Sequence, residues 1–146
     1  MSVRFSRTSM LIGEEGLDRL MSSKVAIFGL GGVGSYAVEG LASAGIGNFH
    51  LVDFDLVEET NINRQIHALT NTLGRFKTEL MAERILQINP EATVSTHSAR
   101  YLPGSGESLI PPGLDYLVDA IDDLAAKVDL IAYSVNKGIP VISAMG

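Results

Sequence analysis

The sequence predicts an α/β domain built as a Rossmann-like, doubly wound parallel sheet. Three observations carry that expectation. Short apolar runs alternate with helical patterns along the chain. A glycine-rich turn, Gly29-Leu30-Gly31-Gly32-Val33-Gly34, follows the first run and opens a helix. The second run closes on Asp53, nineteen residues past Gly34. Glycines so spaced permit a tight turn, close backbone approach to phosphate and helix-on-strand packing, and the acid lies where a ribose hydroxyl would sit. The helix start adds free N–H groups and a positive dipole end.

Each element has its own signal. Residues 8–21 form an amphipathic segment with Met10, Leu11, Leu17 and Leu20 as its apolar positions. Strand 25–28 precedes the glycine turn. The helix over 33–44 places Val33, Ala37, Leu41 and Ala44 on one face, and Gly45 stops it. Strand 49–52 follows. A long polar crossover then carries Glu58-Glu59-Thr60-Asn61-Ile62-Asn63-Arg64-Gln65 and Gly74-Arg75-Phe76-Lys77. A helix over 78–88 turns Leu80, Met81, Ile85 and Ile88 inward, and Asn89-Pro90 ends it. Strand 93–97, a Pro/Gly/Ser surface loop over 103–113, strand 116–121, a helix over 123–136 ended by Lys137-Gly138, and strand 140–143 complete the pattern. The default strand order is 3-2-1-4-5, with ligands expected where the winding reverses, outside the carboxyl ends of strands one and four. The glycine turn and Asp119-Ala120-Ile121-Asp122-Asp123 both emerge there.

Bulk properties narrow the class. The chain has 146 residues, 46% apolar and 19% charged, which fits one domain over 1–146 with a sizeable core. No apolar run is long enough to cross a bilayer, and the opening residues Met1 to Arg7 lack the apolar core of a secretory signal, so a cytoplasmic protein without membrane partners is expected. Absence of cysteine excludes disulfides, thiolate metal sites and a cysteine nucleophile within these residues. A net charge of −6 argues against a general nucleic-acid binder, though not against a local basic patch. The chain stops at Ala144-Met145-Gly146, directly after an apolar run, and reads as part of something longer.

The glycine turn with its acid fits NAD at least as well as ATP. The crossover shifts the balance. Arg64 and Lys77, accompanied by Asn61, Asn63 and Gln65, must lie over the carboxyl end of strand two. A triphosphate carries about twice the charge of a pyrophosphate and calls for an arginine fork and a lysine point charge. It also calls for magnesium, which takes one or two carboxylates and otherwise water and phosphate oxygens. Asp122 is placed for that. Individually, Arg64 and Lys77 read more readily as solvated charges and Asp122 as a helix cap; converging on one crevice, they read as a polyphosphate site.

These residues carry a resemblance. The stretches Arg4-Phe5-Ser6-Arg7-Thr8, 11–17, Phe28 to Tyr36, Leu51-Val52-Asp53-Phe54-Asp55, Asn61 to Ala68, Asn89-Pro90, Val118 to Asp122 and 139–143 are similar to the ThiF/MoeB/HesA superfamily of E1-like adenylating enzymes. The wording Asn61-Ile62-Asn63-Arg64-Gln65-Ile66-His67-Ala68 and the N-terminal block resemble its tRNA threonylcarbamoyladenosine dehydratase branch. The resemblance implies the N-terminal adenylation part of an E1-like domain, continuing beyond residue 146. It implies ATP and magnesium as cofactors. Gly29, Gly31, Gly32 and Gly34 would cradle ATP, Asp53 would hold the ribose with Asp55 beside it, and Arg64 and Lys77 would grip phosphates near Asn61. Asp122 would bind magnesium. Arg7 would reach across a homodimer to the partner's phosphates.

The implied reaction is adenylation of a carboxylate on a modified tRNA adenosine, followed by ring closure with release of AMP. Alternatives are activation of a ubiquitin-like sulfur carrier's C-terminal glycine, with a carrier or sulfur-transfer protein as partner, an NAD-dependent oxidoreductase, and a non-catalytic nucleotide-binding subunit. Asp123 departs from the Asn usual at that place in the superfamily, and either weakens phosphate binding or caps the following helix. The remaining features read as packing or solvated charge. His50 and His97 lack ligand spacing, His67 lies nearer the site, the methionines read as core or terminal fillers, and Glu14-Glu15 and Glu58-Glu59 as solvated or first-turn charges.

Overall fold

The computed structural model describes residues 3–146; Met1 and Ser2, which begin the N-terminal stretch read above, lie outside them. Helix α1 (Ser6–Ser22) leads into strand β1 (Lys24–Phe28), helix α2 (Gly32–Ala44) and strand β2 (Asn48–Val52). Helix α3 (Lys77–Ile88), strand β3 (Thr93–His97), the single-turn helix α4 (Gly106–Leu109), strand β4 (Tyr116–Asp119), helix α5 (Leu124–Asn136) and strand β5 (Val141–Ser143) follow. The five strands pair in parallel in the order β3-β2-β1-β4-β5. This is the anticipated order, with Ile27 opposite Leu51 on one side and Val118 on the other.

Strand composition explains the order. β1 and β2 are buried from their second residue onward, as central strands covered on both faces must be. The polar run Thr93-Val94-Ser95-Thr96-His97 is mostly exposed and forms one edge. Alternate residues of β1 feed two cores. Val25 and Ile27 pack with Phe49, Leu51, Val38, Ala42, Met81 and Ile85 beneath α2 and α3. Ala26 and Phe28 pack with Val52, Leu117, Ala126 and Leu130 beneath α5, where Tyr101 meets Phe28 edge-on.

The structure corrects several details. Gly13 has φ 78° and splits α1 into two pieces, so Met10 and Leu11 are exposed, while Leu17 is buried and Leu20 packs partly buried against the core. The buried stripe of α2 is Gly34, Ser35, Val38 and Ala42, while Val33 is 40% exposed. Steric demand at the glycine turn, described below, sets that rotation. Met81 is a core filler, but Met10 and Met145 are exposed. The 103–113 segment is no plain surface loop; it contains α4 and buries Ile110. β4 ends at Asp119, because the Asp119 carboxylate takes the Ile121 N–H (3.1 Å) and turns the chain. β5 starts at Val141, since Pro140 has no N–H and contributes only its carbonyl, to Leu117 (2.9 Å). Glu58 and Asn61 cap a short turn over 59–61 reciprocally, so Glu58 is more than a solvated charge. No helix among the described residues is long and apolar enough to cross a membrane.

Candidate active site

A cleft of about 310 Å³ opens at the carboxyl ends of β1, β2 and β4. The glycine turn forms its floor. Gly29 has φ +91°, and a Cβ there would stand 2.4 Å from the Ala120 carbonyl oxygen, so turn and β4 exit are in direct backbone contact. Gly34 serves packing: its Cβ would fall 1.6 Å from the Gly29 oxygen. Gly29 and Gly31 line the cleft; Gly32 and Gly34 do not, and the stem of Arg64 lies over Gly32.

The turn is held at Leu30. Its N–H donates to Asp53 Oδ2 (2.7 Å), and its carbonyl accepts from His67 Nε2 (2.7 Å). Asp53 Oδ1 accepts the Asp55 N–H (2.7 Å). Since a carbonyl only accepts, His67 carries its proton on Nε2 and leaves Nδ1 as a buried acceptor without a partner among the described residues. Burial holds His67 below the ordinary imidazole pKa; the Leu30 hydrogen bond opposes this, Lys77 reinforces it, and Asp53 opposes it. His67 therefore belongs to the support of the site. His50 is buried too, with Nδ1 at 2.8 Å from Ser95 Oγ and Nε2 at 2.8 Å from the Leu109 carbonyl, a packing role that includes the His97 ring.

The crossover brings its polar residues to the cleft. Lys77, in the first turn of α3, is only 4% exposed, with Nζ 3.5 Å from Asp55 Oδ2. Arg64 is held over the rim by the Thr60 carbonyl and Asn63 Oδ1, both at 2.9 Å. Asn61 is buried beside it. Gln65 is 6% exposed, lines the cleft, and has a buried Oε1 without a partner among the described residues. Such an unmet acceptor on the cleft lining is open to a polar ligand or to water.

The β4 exit supplies the opposite wall. Asp123 Oδ1 accepts the Ala126 N–H (2.8 Å), capping α5. Of the two readings of Asp123, the cap is the one seen, a role Asn fills equally well. It also leaves Asp122 with no hydrogen bond or ion pair among the described residues, its carboxylate facing the cleft. One free carboxylate beside a polyphosphate-sized cleft is the donor set magnesium uses when most of its shell is phosphate and water. The residues present thus fit that ion.

Arg7 sits elsewhere. α1 runs along the sheet's amino edge, where Arg4 Nη1 donates to the Ile88 carbonyl (2.8 Å) and the Asn48 amide to Ser23 (3.1 Å). Arg7 is exposed there, with Nη1 near Met10 Sδ (3.9 Å), and does not line the cleft of its own chain. Sequence reasoning missed the wall behind β3. Arg100 stacks on the Phe54 ring at 4.0 Å, with Ala99, Tyr101 and Leu102 beside it. The available signal was their position just past the carboxyl end of a strand. It also missed Lys127, buried beneath the β4 exit.

The fold and the cleft define a class: a Rossmann-like nucleotide-binding domain whose crossover brings two cations to the mouth and whose β4 exit brings an unpaired carboxylate. The chain belongs to the ThiF family, whose profile matches residues 5–146. It is 46% identical over 143 residues to tRNA threonylcarbamoyladenosine dehydratase of Bacillus subtilis, an alignment covering 98% of this chain and 56% of that protein. The crystal structure of the Escherichia coli dehydratase TcdA in complex with ATP superposes with a TM-score of 0.94 at 44% identity, covering 96% of this chain and 58% of that one. Escherichia coli MccB with ATP superposes at 0.84 with 29% identity, over 99% and 45% of the two chains. The chain thus spans little more than half the length of the dehydratases it matches.

Proposed function

We propose that this chain is the ATP-binding part of an enzyme that adenylates the carboxylate of a threonylcarbamoyl group on a modified tRNA adenosine and then closes it to a ring. The cleft carries the reading: a glycine floor, the buried cation of Lys77, the Arg64 fork and the unpaired Asp122 carboxylate face one space sized for a nucleotide. The names and bound nucleotides of the relatives support it.

In this reading Gly29 and Gly31 offer backbone to the phosphates, with Gly32 and Gly34 shaping the turn. Asp53, beside Asp55, receives the ribose hydroxyls. Lys77 and Arg64 neutralise charge on the α-phosphate and on the leaving pyrophosphate, with Asn61 at the rim. Asp122 would hold magnesium, which would supply further charge neutralisation at the phosphates. A substrate carboxylate oxygen attacks the α-phosphorus, pyrophosphate leaves, and an acyl-adenylate forms. Intramolecular attack on its carbonyl expels AMP with that oxygen. The water lost from the substrate is thereby consumed in cleaving ATP to AMP and pyrophosphate. No cysteine is needed. Arg7, remote from its own cleft, serves the partner's phosphates in a homodimer.

The test is ATP–pyrophosphate exchange and AMP release by the full-length protein, with tRNA bearing threonylcarbamoyladenosine or with a small ubiquitin-like carrier. Release dependent on that tRNA supports the proposal. Exchange with the carrier alone, or tight NAD binding with indifference to Mg·ATP, refutes it.

A further inference from the structure

Beneath the β4 exit lies an ion pair that contributes no atom to the cleft surface. Asp119 is 0% exposed and Lys127, on the second turn of α5, is 6% exposed. Lys127 Nζ lies 2.7 Å from Asp119 Oδ2 and donates also to the Ala144 carbonyl at 2.7 Å. Ser143 Oγ donates to the same Asp119 oxygen at 2.7 Å. Asp119 Oδ1 accepts the Ile121 N–H at 3.1 Å, and the Asp119 carbonyl accepts the Ala144 N–H at 2.9 Å.

A buried ion pair is a poor device for stability alone, because desolvation offsets much of its attraction, and a well-packed apolar pair often does as well. What this pair supplies is geometry. It fixes the backbone one residue before Asp122 through Ile121, and the chain after β5 through Ala144. Asp122 is held from the other side by the Asp123 cap, whose carbonyl accepts the Lys127 N–H at 2.9 Å. Both segments then meet at the cleft wall, where Gly146 lies so close that a Cβ on it would stand 2.2 Å from Asp122 Oδ1.

We propose that Lys127 and Asp119 are positioning residues for Asp122, setting the direction in which its free carboxylate meets the divalent cation carried by the nucleotide phosphates. The proposal rests on the reading of the cleft as an ATP site. Neither residue touches the nucleotide. They act by fixing the Asp122 backbone from below while leaving its side chain unpaired.

The experiment measures ATP affinity of the full-length protein by calorimetry, with and without magnesium, alongside AMP affinity without magnesium and the thermal midpoint. The variants are Lys127→Met, the apolar replacement Asp119→Leu/Lys127→Met, Ser143→Ala and Asp122→Ala. The double replacement leaves no unpaired charge, so it guards against misfolding of the single variant. In both Lys127 variants the magnesium-dependent gain in ATP affinity is expected to fall at least about 10-fold, as in Asp122→Ala, with AMP affinity within about threefold of wild type. Ser143→Ala, which removes one donor, is expected to lose part of the gain. Lys127→Met added to Asp122→Ala is expected to cost nothing further. A folded double replacement that keeps the full gain overturns the proposal. So does an equal loss of AMP and ATP affinity, which marks a general structural role. Should Asp122→Ala itself keep the gain, the reading of Asp122 as the magnesium ligand fails first and the positioning role falls with it.

Discussion

Gly34→Ala isolates what the glycine turn is for. Alanine is the better helix former by about 0.5–1 kcal/mol, so within α2 the substitution should stabilise if nothing stands in its way. Something does: the new Cβ would lie 1.6 Å from the Gly29 carbonyl oxygen and 2.7 Å from its carbon. Relief requires the Gly29 peptide to retreat by more than an ångström. It cannot do so freely, because Gly29 is already backed against the Ala120 carbonyl and bonded through its N–H to Val52 (2.9 Å). Overpacking against rigid backbone costs about 3 kcal/mol. Set against the helix gain, the net loss is about 2 kcal/mol, or roughly 6 °C in Tm at about 3 °C per kcal/mol for a domain this size. Gly40 is the matched control, in the same helix with nothing within 4 Å of a Cβ. Gly40→Ala should raise Tm by roughly 2–3 °C on propensity alone. Gly31→Ala meets only Gln65 Nε2, at 3.6 Å, so it should fold normally and weaken nucleotide binding. Calorimetric melting of the three variants, with and without ATP, checks all of this. If Gly34→Ala melts with or above Gly40→Ala, close packing is not the reason for that glycine.

Two further predictions follow from the site. Lys77→Met should lower ATP affinity by roughly 10- to 100-fold, the span of one or two charge-assisted hydrogen bonds, while Tm moves little, because the Asp55 carboxylate left behind is about half exposed and stays solvated; equal ATP binding by wild type and variant would remove Lys77 from the phosphate site. Stability should fall as pH drops from 7 toward 5. His50 and His67 are both held below the ordinary imidazole value of 6.5, first by burial. For His50 the Leu109 hydrogen bond opposes this while His97 and Lys24 reinforce it. The unfolded chain therefore takes up protons first. The stabilisation is whole above the unfolded pKa and is lost as pH falls through the folded one. Melting against pH should show this slope, and His67→Gln should flatten it; an unchanged slope in both His50→Gln and His67→Gln assigns the effect to other groups.

Much of the architecture was legible because it rests on local periodicity. Short continuous apolar runs marked β1 and β2, and Gly45 and Asn89-Pro90 stopped their helices where expected. The parallel order followed from the handedness of crossovers, which holds for almost any chain with this element order. The convergence of the glycine turn with the β4 exit was legible for the same reason. Helix rotation was not: Val33 fits an apolar face by spacing, yet Gly34 must face β1 because only a glycine fits against the Gly29 carbonyl.

The amino-acid sequence by itself determined the fold class, the strand order and the meeting of the glycine turn, the crossover and the β4 exit at one cleft, since these depend on pattern and chain connectivity. Only the tertiary structure decided how those residues divide the work. It showed that Asp123 rather than Asp122 caps α5, that His67 and Asp53 both hold Leu30, and that Lys127 sits buried against Asp119. The reason is physical. A side chain's partner is set by ångström-scale distances between segments far apart in the chain, and no periodicity along the sequence encodes them.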